Sequence, residues 1–419
     1  MISNLFSQKE NRIVVAMLAT IVFAIIYFQA LNPLWKGHLE VDTWIWYQRV
    51  EYFYKNNFSF VGLKNSEFLP ATLLFLFAPI VFLNSSSLNY SSYLKGALCL
   101  NLFILFFHFC FYKKERGSLQ AIFFLIILLS LGPIMLFRFD GFVTLLILLT
   151  LWFWRKKNFS LSGFFFGWAT AIKVFPVIFL PYFLLVLRSD KKQRLQIIPF
   201  LLFFIIAGFL SLLIFFLIGG SVEQVFEALG FHSLKYVSIE SVPGVFLTGA
   251  SLLVAHKPLT LVRGYGVWGI NSELINILGL NFFNYLWMLP IFLFYLFLTI
   301  KKEFTKNLNI GVLFCLTILF LVFSKNLHPQ YIFWFIALFP FLKVKEGGEF
   351  DYFLMFFFII IISFLNQNVY PLLYTNFLEQ FYSRGKEIEI FYLQFLRNLS
   401  IILLLIFSFK AIFLKKSLE

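Results

Sequence analysis

Between Leu195 and Ile218 the chain reads LQIIPFLLFFIIAGFLSLLIFFLI, without a single charged side chain. A run of that kind finds a home only in an apolar phase, and about 20 such residues in helical form cross a bilayer. Comparable runs lie near 12–31, 93–112, 119–137, 140–154, 160–174, 176–187, 278–300, 308–323, 329–343, 350–366 and 390–413, some of them short. Composition points the same way: 61% of residues are hydrophobic and 13% charged, whereas soluble domains carry about 25% charge. The expected fold is all-α, a polytopic transmembrane helical bundle of about 10–13 spans, forming a single integral membrane domain over residues 1–419.

A net charge of +14 raises the question of nucleic acid. The basic residues, however, sit in short clusters between apolar runs: YKKERG, WRKKN, RSDKKQR, IKKEFTKN, LKVKEGG and LKKSLE. That is the positive-inside pattern of cytoplasmic loops, and no soluble domain presents a basic patch. Cys99, Cys110 and Cys315 lie in apolar stretches and read as small buried hydrophobes, with neither a disulfide framework nor a zinc site. The five histidines are scattered without metal-ligand spacing, so no cofactor is expected and a divalent metal is left open. The N-terminal run lacks a small-residue cleavage pattern and reads as a retained first span.

Threading the spans by these clusters leaves two long segments, 32–68 and 219–277, the second partly apolar and partly re-entrant. The run LPATLLFLFAPIVFL (69–83) is short, contains two prolines, and is expected to dip in without crossing. On that arrangement every basic cluster falls on the cytoplasmic side. Asp42, Glu67, Arg138 with Asp140, Lys173, FHSLKYVSIES and SKNLHPQY then gather on the other face.

Ionisable residues near membrane depth are functional candidates by default. Asp42, among the Trp and Tyr side chains of HLEVDTWIWYQRVEYFYK, reads either as a general base or as an ordinary interfacial acid or helix cap. In FRFDGF, Arg138 and Asp140 read as a structural pair at a helix start, or as a guanidinium for phosphate oriented by its neighbour. Lys173, three residues before Pro176, either snorkels or sits at a helix break as a phosphate ligand. His232, Lys235, Glu240 and Ser241 share one segment, and Lys325, His328, Gln330 and Tyr331 another. Singly each is an unremarkable loop residue; their convergence on one face is the signal.

The ordered set of motifs resembles the C-type glycosyltransferase superfamily, specifically glycosyltransferase family 87 and the related first mannosyltransferase of glycosylphosphatidylinositol synthesis. The carrying stretches are RFDGFVTLLILLTLWFWRKKNFSLSGFFFGWATAIKVFPVIFLP, FHSLKYVSIESVPG and SKNLHPQYIFWFIALFP, in order over about residues 38–340. The resemblance implies a multi-pass enzyme of the cell membrane, with its active site on the extracytoplasmic side. Its partners would be a polyprenyl-phosphate sugar donor, usually mannose, a lipid or glycan acceptor and membrane lipids, with no nucleic acid. It implies Asp42 as catalytic base, with Arg138, Lys173, Lys235 and His328 toward donor phosphate. Glu67, Asp140, His232, Glu240, Ser241, Gln330 and Tyr331 would support them. The chain departs from the pattern in having EFLPATLL where Tyr-Pro-Pro is common, Lys235 where relatives tend to carry Arg, and no Asp-x-Asp pair at Asp42. A single displacement would invert the anomeric centre. The rival classes are a transporter or lipid-linked-saccharide flippase, against which no inverted repeat is visible, and a polysaccharide polymerase or ligase.

Overall fold

A computed structural model describes residues 8–63, 67–82, 88–251, 260–343, 349–374 and 389–414. The basic runs after Leu342 and after Leu414 fall largely outside the described residues. Of the described residues, 81% are helical. Seven helices are long and apolar enough to cross a membrane, and five shorter apolar helices accompany them, among the described residues.

The first half comprises α1 (Gln8–Leu31), α2 (Pro33–Lys55), the short α3 (Pro70–Phe75), α4 (Tyr90–Arg116) and α5 (Ser118–Leu131). It continues with α6 (Asp140–Arg155), α7 (Phe159–Ile172), α8 (Leu180–Ser189) and α9 (Ile197–Leu217). Then follow α10 (Val222–Leu234), α11 (Val242–Gly249), a hairpin of β1 (Thr260–Gly264) and β2 (Val267–Asn271), α12 (Glu273–Leu278) and α13 (Leu280–Tyr285). The last helices are α14 (Met288–Ile300), α15 (Ile310–Phe323), α16 (Phe333–Ile336), α17 (Glu349–Gln367) and α18 (Glu389–Phe409).

Three findings differ from the sequence reading. Cys99 and Cys110, expected as buried hydrophobes, are exposed on α4, and of the three cysteines only Cys315 is buried. The segment 32–68, expected as an interfacial loop, is helical over most of its length as α2. Asn32 starts it, its side chain accepting the Leu34 amide at 3.0 Å, and Pro33 stands in the first turn where its missing N–H costs nothing. The segment 219–277 carries an antiparallel hairpin that no strand signal announced, pairing Thr260 with Asn271 through Gly264 with Val267. Its β2 strand also takes up the chain at 237–239: Ile270 N–H donates to the Val237 carbonyl and Ile239 N–H to the Trp268 carbonyl, both at 3.0 Å.

Side-chain bonds tie the helix ends into two groups. At one end Arg116 donates to the carbonyls of Pro340 and Leu342, Arg155 pairs with Glu115 at 3.2 Å, and Ser189 and Tyr182 donate to the carbonyls of Thr305 and Phe304. These are the loops that carry the basic clusters. At the other end Thr72 donates to the Ile172 carbonyl and Tyr93 to the Leu76 carbonyl, so α3 enters and leaves on that side. The helices α4 to α9 therefore run alternately between a basic end and an opposite end.

The tightest packing lies between α7 and α9. Gly163 and Gly167, one turn apart, face α9 so closely that an added Cβ would stand 2.1 Å from the Phe200 carbonyl oxygen and 2.3 Å from that of Phe204. Inside a membrane, where hydrophobic attraction between helices is absent, small residues at this spacing let backbones gain dispersion contacts. Because the obstacle is backbone, a larger residue must push α9 away. Replacing Gly163 or Gly167 by Leu should destabilise the fold by at least about 1–3 kcal/mol. The measurement is thermal unfolding in detergent, with Gly208→Leu as control, since nothing lies within 4 Å of a Cβ there.

Candidate functional site

At the end opposite the basic loops the helices enclose a cavity of about 790 Å³. Its lining draws on α2, the segment before α3, the starts of α6 and α14, the break after α7, α10 with the residues following it, the hairpin, and the chain on both sides of Pro329. Asp42, Glu67, Arg138, Asp140, Lys173, His232, Lys235, Glu240, His328, Gln330 and Tyr331 all face it. Ser241 does not: it is fully buried as the N-cap of α11, its hydroxyl accepting the Gly244 amide at 3.0 Å and donating to the Ser238 carbonyl at 2.7 Å. Its part is structural.

The pairing of charges is not the one the spacing suggested. Arg138 turns away from Asp140 and bonds Asp42 at 3.0 Å. The reason is local geometry. Arg138 is extended, with φ −137° and ψ 141°, whereas Asp140 is the first residue of α6, where a carboxylate suits the helix dipole. Side chains two apart across such a junction point in different directions. The Arg138 guanidinium, 4% exposed, also donates to the carbonyls of Leu39 and Phe137 and to the Tyr370 hydroxyl, which in turn donates to the His38 carbonyl. Asp42 keeps 39% of its side chain open, so the acid reaches the cavity from a fixed anchor.

Asp140 instead holds Lys173 at 2.6 Å and accepts the indole N–H of Trp334, also at 2.6 Å. Lys173 is extended between the end of α7 and the 3-10 turn Phe175–Phe179 that carries Pro176. Its ammonium lies over the rings of Tyr331, Trp334 and Phe139 at 4.5, 4.9 and 5.2 Å. Each such contact contributes about 0.5–2 kcal/mol when water is excluded, and the buried ion pair is costly to break, by about 3–5 kcal/mol. Lys173 is thus a part of the wall that still presents charge.

Lys235 is different. It is 6% exposed, its ammonium lies 5.2 Å from the Phe231 ring centre, and it makes no ion pair among the described residues. Burial pushes its pKa down to about 8 against a smaller opposing pull from Glu67. Lys325, by contrast, is consumed by carbonyls: its ammonium donates to Ser233 and Lys235, and its own carbonyl accepts the Ser238 amide. This clamp and β2 together fix the strand-like segment that carries Lys235 at one end and Glu240 at the other.

His232 is pushed down to about 3 and His328 well below the usual imidazole value, by burial first and then by the nearby lysines. Both face the cavity, and the lowered pKa favours the neutral ring, which can still exchange hydrogen bonds with a ligand. Burial raises Glu67, and raises Glu240 to about 7. Counting side chains on the lining, five cations (Arg138, Lys173, Lys235, Arg263, Lys325) face four carboxyl groups (Asp42, Glu67, Asp140, Glu240), two of them with raised pKa. The cavity therefore favours an anion. Among the described residues, no group of three His, Cys, Asp or Glu side chains could hold a metal ion.

Several residues at the site escaped the sequence reading. Trp334 was read only as part of an aromatic segment, and Tyr370 and Tyr374 lie in a stretch with no charge to attract notice. Arg397 had a readable signal: it stands in the middle of the apolar helix α18, where a charge is unusual. It is fully buried and donates to Asn366 at 3.1 Å and to the Glu240 carbonyl at 2.5 Å.

No curated protein matches this chain. The model of glycosyltransferase family 87 matches residues 68–278, half of the chain, a region that contains Arg138, Asp140, Lys173, His232, Lys235 and Glu240. Asp42 and the Gln330–Trp334 segment lie outside the match and are joined to it by the fold. With its bundle of apolar helices and a charged cavity at one end, the chain belongs to glycosyltransferase family 87 and is a membrane glycosyltransferase.

Proposed function

We propose that the enzyme transfers a hexose, mannose in the first instance, from a polyprenyl-phosphate donor to a hydroxyl of a lipid or glycan acceptor, by a single inverting displacement. The observation that carries this reading is the juxtaposition in one cavity of a half-open carboxylate, Asp42, and a buried ammonium with no ion pair among the described residues, Lys235. Asp42 takes the proton of the acceptor hydroxyl as its oxygen bonds to the anomeric carbon. The bond from that carbon to the phosphate oxygen breaks, and its electron pair leaves with the polyprenyl phosphate. Lys235 and Lys173 stabilise the charge gathering there, fixed in advance in a partly dry site. Arg138 acts one step back from the phosphate role assigned from sequence: its hydrogen bonds to Leu39 and Phe137 hold it still, and it orients Asp42. A β-linked donor gives an α-linked product.

The positive-inside distribution supports placing the cavity on the extracytoplasmic face of the cell membrane. In a variant with Cys99, Cys110 and Cys315 replaced by Ser, a cysteine at the exposed position 192 should react with an impermeant reagent only from the cytosolic side. A cysteine at exposed position 227 should react only from the other. Labelling of both from one side would refute the arrangement.

Asp42→Asn should lower transfer from a mannosyl polyprenyl phosphate by about 10²–10⁴-fold with folding intact; turnover at the wild-type rate in that variant removes Asp42 from the role. The charge of Lys235 sets a second expectation. Its ammonium deprotonates as pH rises through about 8, so kcat/KM for the donor should fall by about tenfold per pH unit above that value. Lys235→Arg, which stays charged, should move the fall to higher pH. An unchanged pH profile in this variant would assign the titration elsewhere.

A further inference from the structure

Four side chains on the cavity wall carry a buried acceptor oxygen without a hydrogen-bond partner among the described residues: Glu240, Gln330, Asn284 and Asn326. Buried oxygens are rarely left this way, because the desolvation penalty goes uncompensated. Two of the four, Oε2 of Glu240 and Oε1 of Gln330, are also built into one frame. Arg397 donates to the carbonyl of Glu240 and to Oδ1 of Asn366, and Asn366 donates from its amide nitrogen to the carbonyl of Pro329, the residue before Gln330. Asn398 adds a second bond to the Glu240 carbonyl at 3.2 Å. One buried guanidinium thereby sets the backbone under both side chains.

The frame also lies beside the reacting groups. The Glu240 carboxyl bonds the Tyr374 hydroxyl, the Tyr374 ring is 4.9 Å from that of Tyr370, and the Tyr370 hydroxyl accepts from Arg138, the anchor of Asp42. A ligand that fits must bring hydrogen-bond donors to two separate oxygens. An apolar chain brings none, and a fully ionised phosphate brings only acceptors. A ring with several hydroxyl groups satisfies both at once. A carboxyl whose pKa stands at about 7 keeps an acceptor oxygen in either protonation state.

We propose that Glu240 and Gln330 bind hydroxyl groups of the sugar that is transferred, and so set which sugars the donor carries, with Arg397 as the positioning residue that keeps the two in register. The assignment rests on the donor class given under Proposed function and adds to it the subsite that distinguishes a glycosylated donor from its bare lipid phosphate. Sites that hydrogen-bond a substrate hydroxyl reject analogues lacking it far more strongly than apolar pockets reject a missing methylene.

The test is equilibrium binding in detergent, which needs no acceptor. The probes are a short-chain polyprenyl phosphate, bare or carrying mannose, glucose or arabinose, and the deoxy forms of whichever sugar binds best. Wild type should bind at least one glycosylated form more tightly than the bare phosphate by about tenfold or more, and lose that advantage with at least one deoxy form. Glu240→Met and Gln330→Met, similar in length and without an oxygen, should each cut the advantage to about threefold or less while bare-phosphate affinity stays within about twofold. Arg397→Lys should diminish the same ratio; equal losses for bare and glycosylated probes would mark Arg397 as merely structural and remove it from the proposal. If Glu240→Met does not fold, Gln330→Met decides. An undiminished sugar advantage in the Met variants overturns the assignment, and so does an advantage that is undiminished while the acceptor KM rises, which would move the two residues to the acceptor. Failure of wild type to bind any polyprenyl phosphate would instead sink the donor class itself, and the subsite with it.

Discussion

A cation withdrawn from water must find an anion or the face of an aromatic ring, and that requirement fixes where four distant segments of this chain meet. Arg138 finds Asp42 and so brings α2 against the start of α6. Lys173 finds Asp140, and the rings of Phe139, Tyr331 and Trp334, and so brings the break after α7 against the chain following Pro329. Trp334 stacks on Phe175 with ring centres 3.6 Å apart while giving its N–H to Asp140, the carboxylate that also holds the ammonium. Lys325 is spent on carbonyls. Lys235 is then left, among the described residues, as a buried ammonium with neither an ion pair nor a set of carbonyls to hold it.

That division explains why charge at the site carries two kinds of work. Paired charges give rigidity, since removing either member strands the other in a low-dielectric wall. The unpaired one is the charge assigned to donor binding in the proposed mechanism. A transporter would be expected to collect its polar residues near the midplane, at a repeat interface. Here they lie at one end of the bundle, beyond the ends of α7 and α15 and before the start of α6, as suits chemistry at an interface.

Much of this was legible in the residues. Uncharged runs announced the helices, the lysine-rich loops sorted the ends, and eleven of the twelve site candidates line one cavity, Ser241 being the exception. What was not legible follows from direction rather than identity. Arg138 and Asp140 are neighbours in sequence but leave the backbone on either side of a helix start, so adjacency misled. The helix α2 looked like a loop because it is polar along much of its length, and a cap at Asn32 is a weak cue inside an aromatic-rich segment. The hairpin was hidden because its strands of five residues gain their stability from the 237–239 segment, a contact that local sequence does not record. Arg397 was readable in principle, as a lone charge in an apolar helix, and its partners were not.

The unequal lengths of the helices set a depth. At about 1.5 Å per residue, the 27 residues of α4 extend about 40 Å, whereas the 14 residues of α7 and of α15 each extend only about 21 Å. Helices of such different length cannot all span the same two levels, and the chain that leaves the short α7 and α15 goes directly into the cavity wall, carrying Lys173 in the first case and the segment from Lys325 to Tyr331 in the second. For the lipid-phosphate donor proposed above, a recessed site would let the headgroup reach the cations while the hydrocarbon tail stays among the lipids.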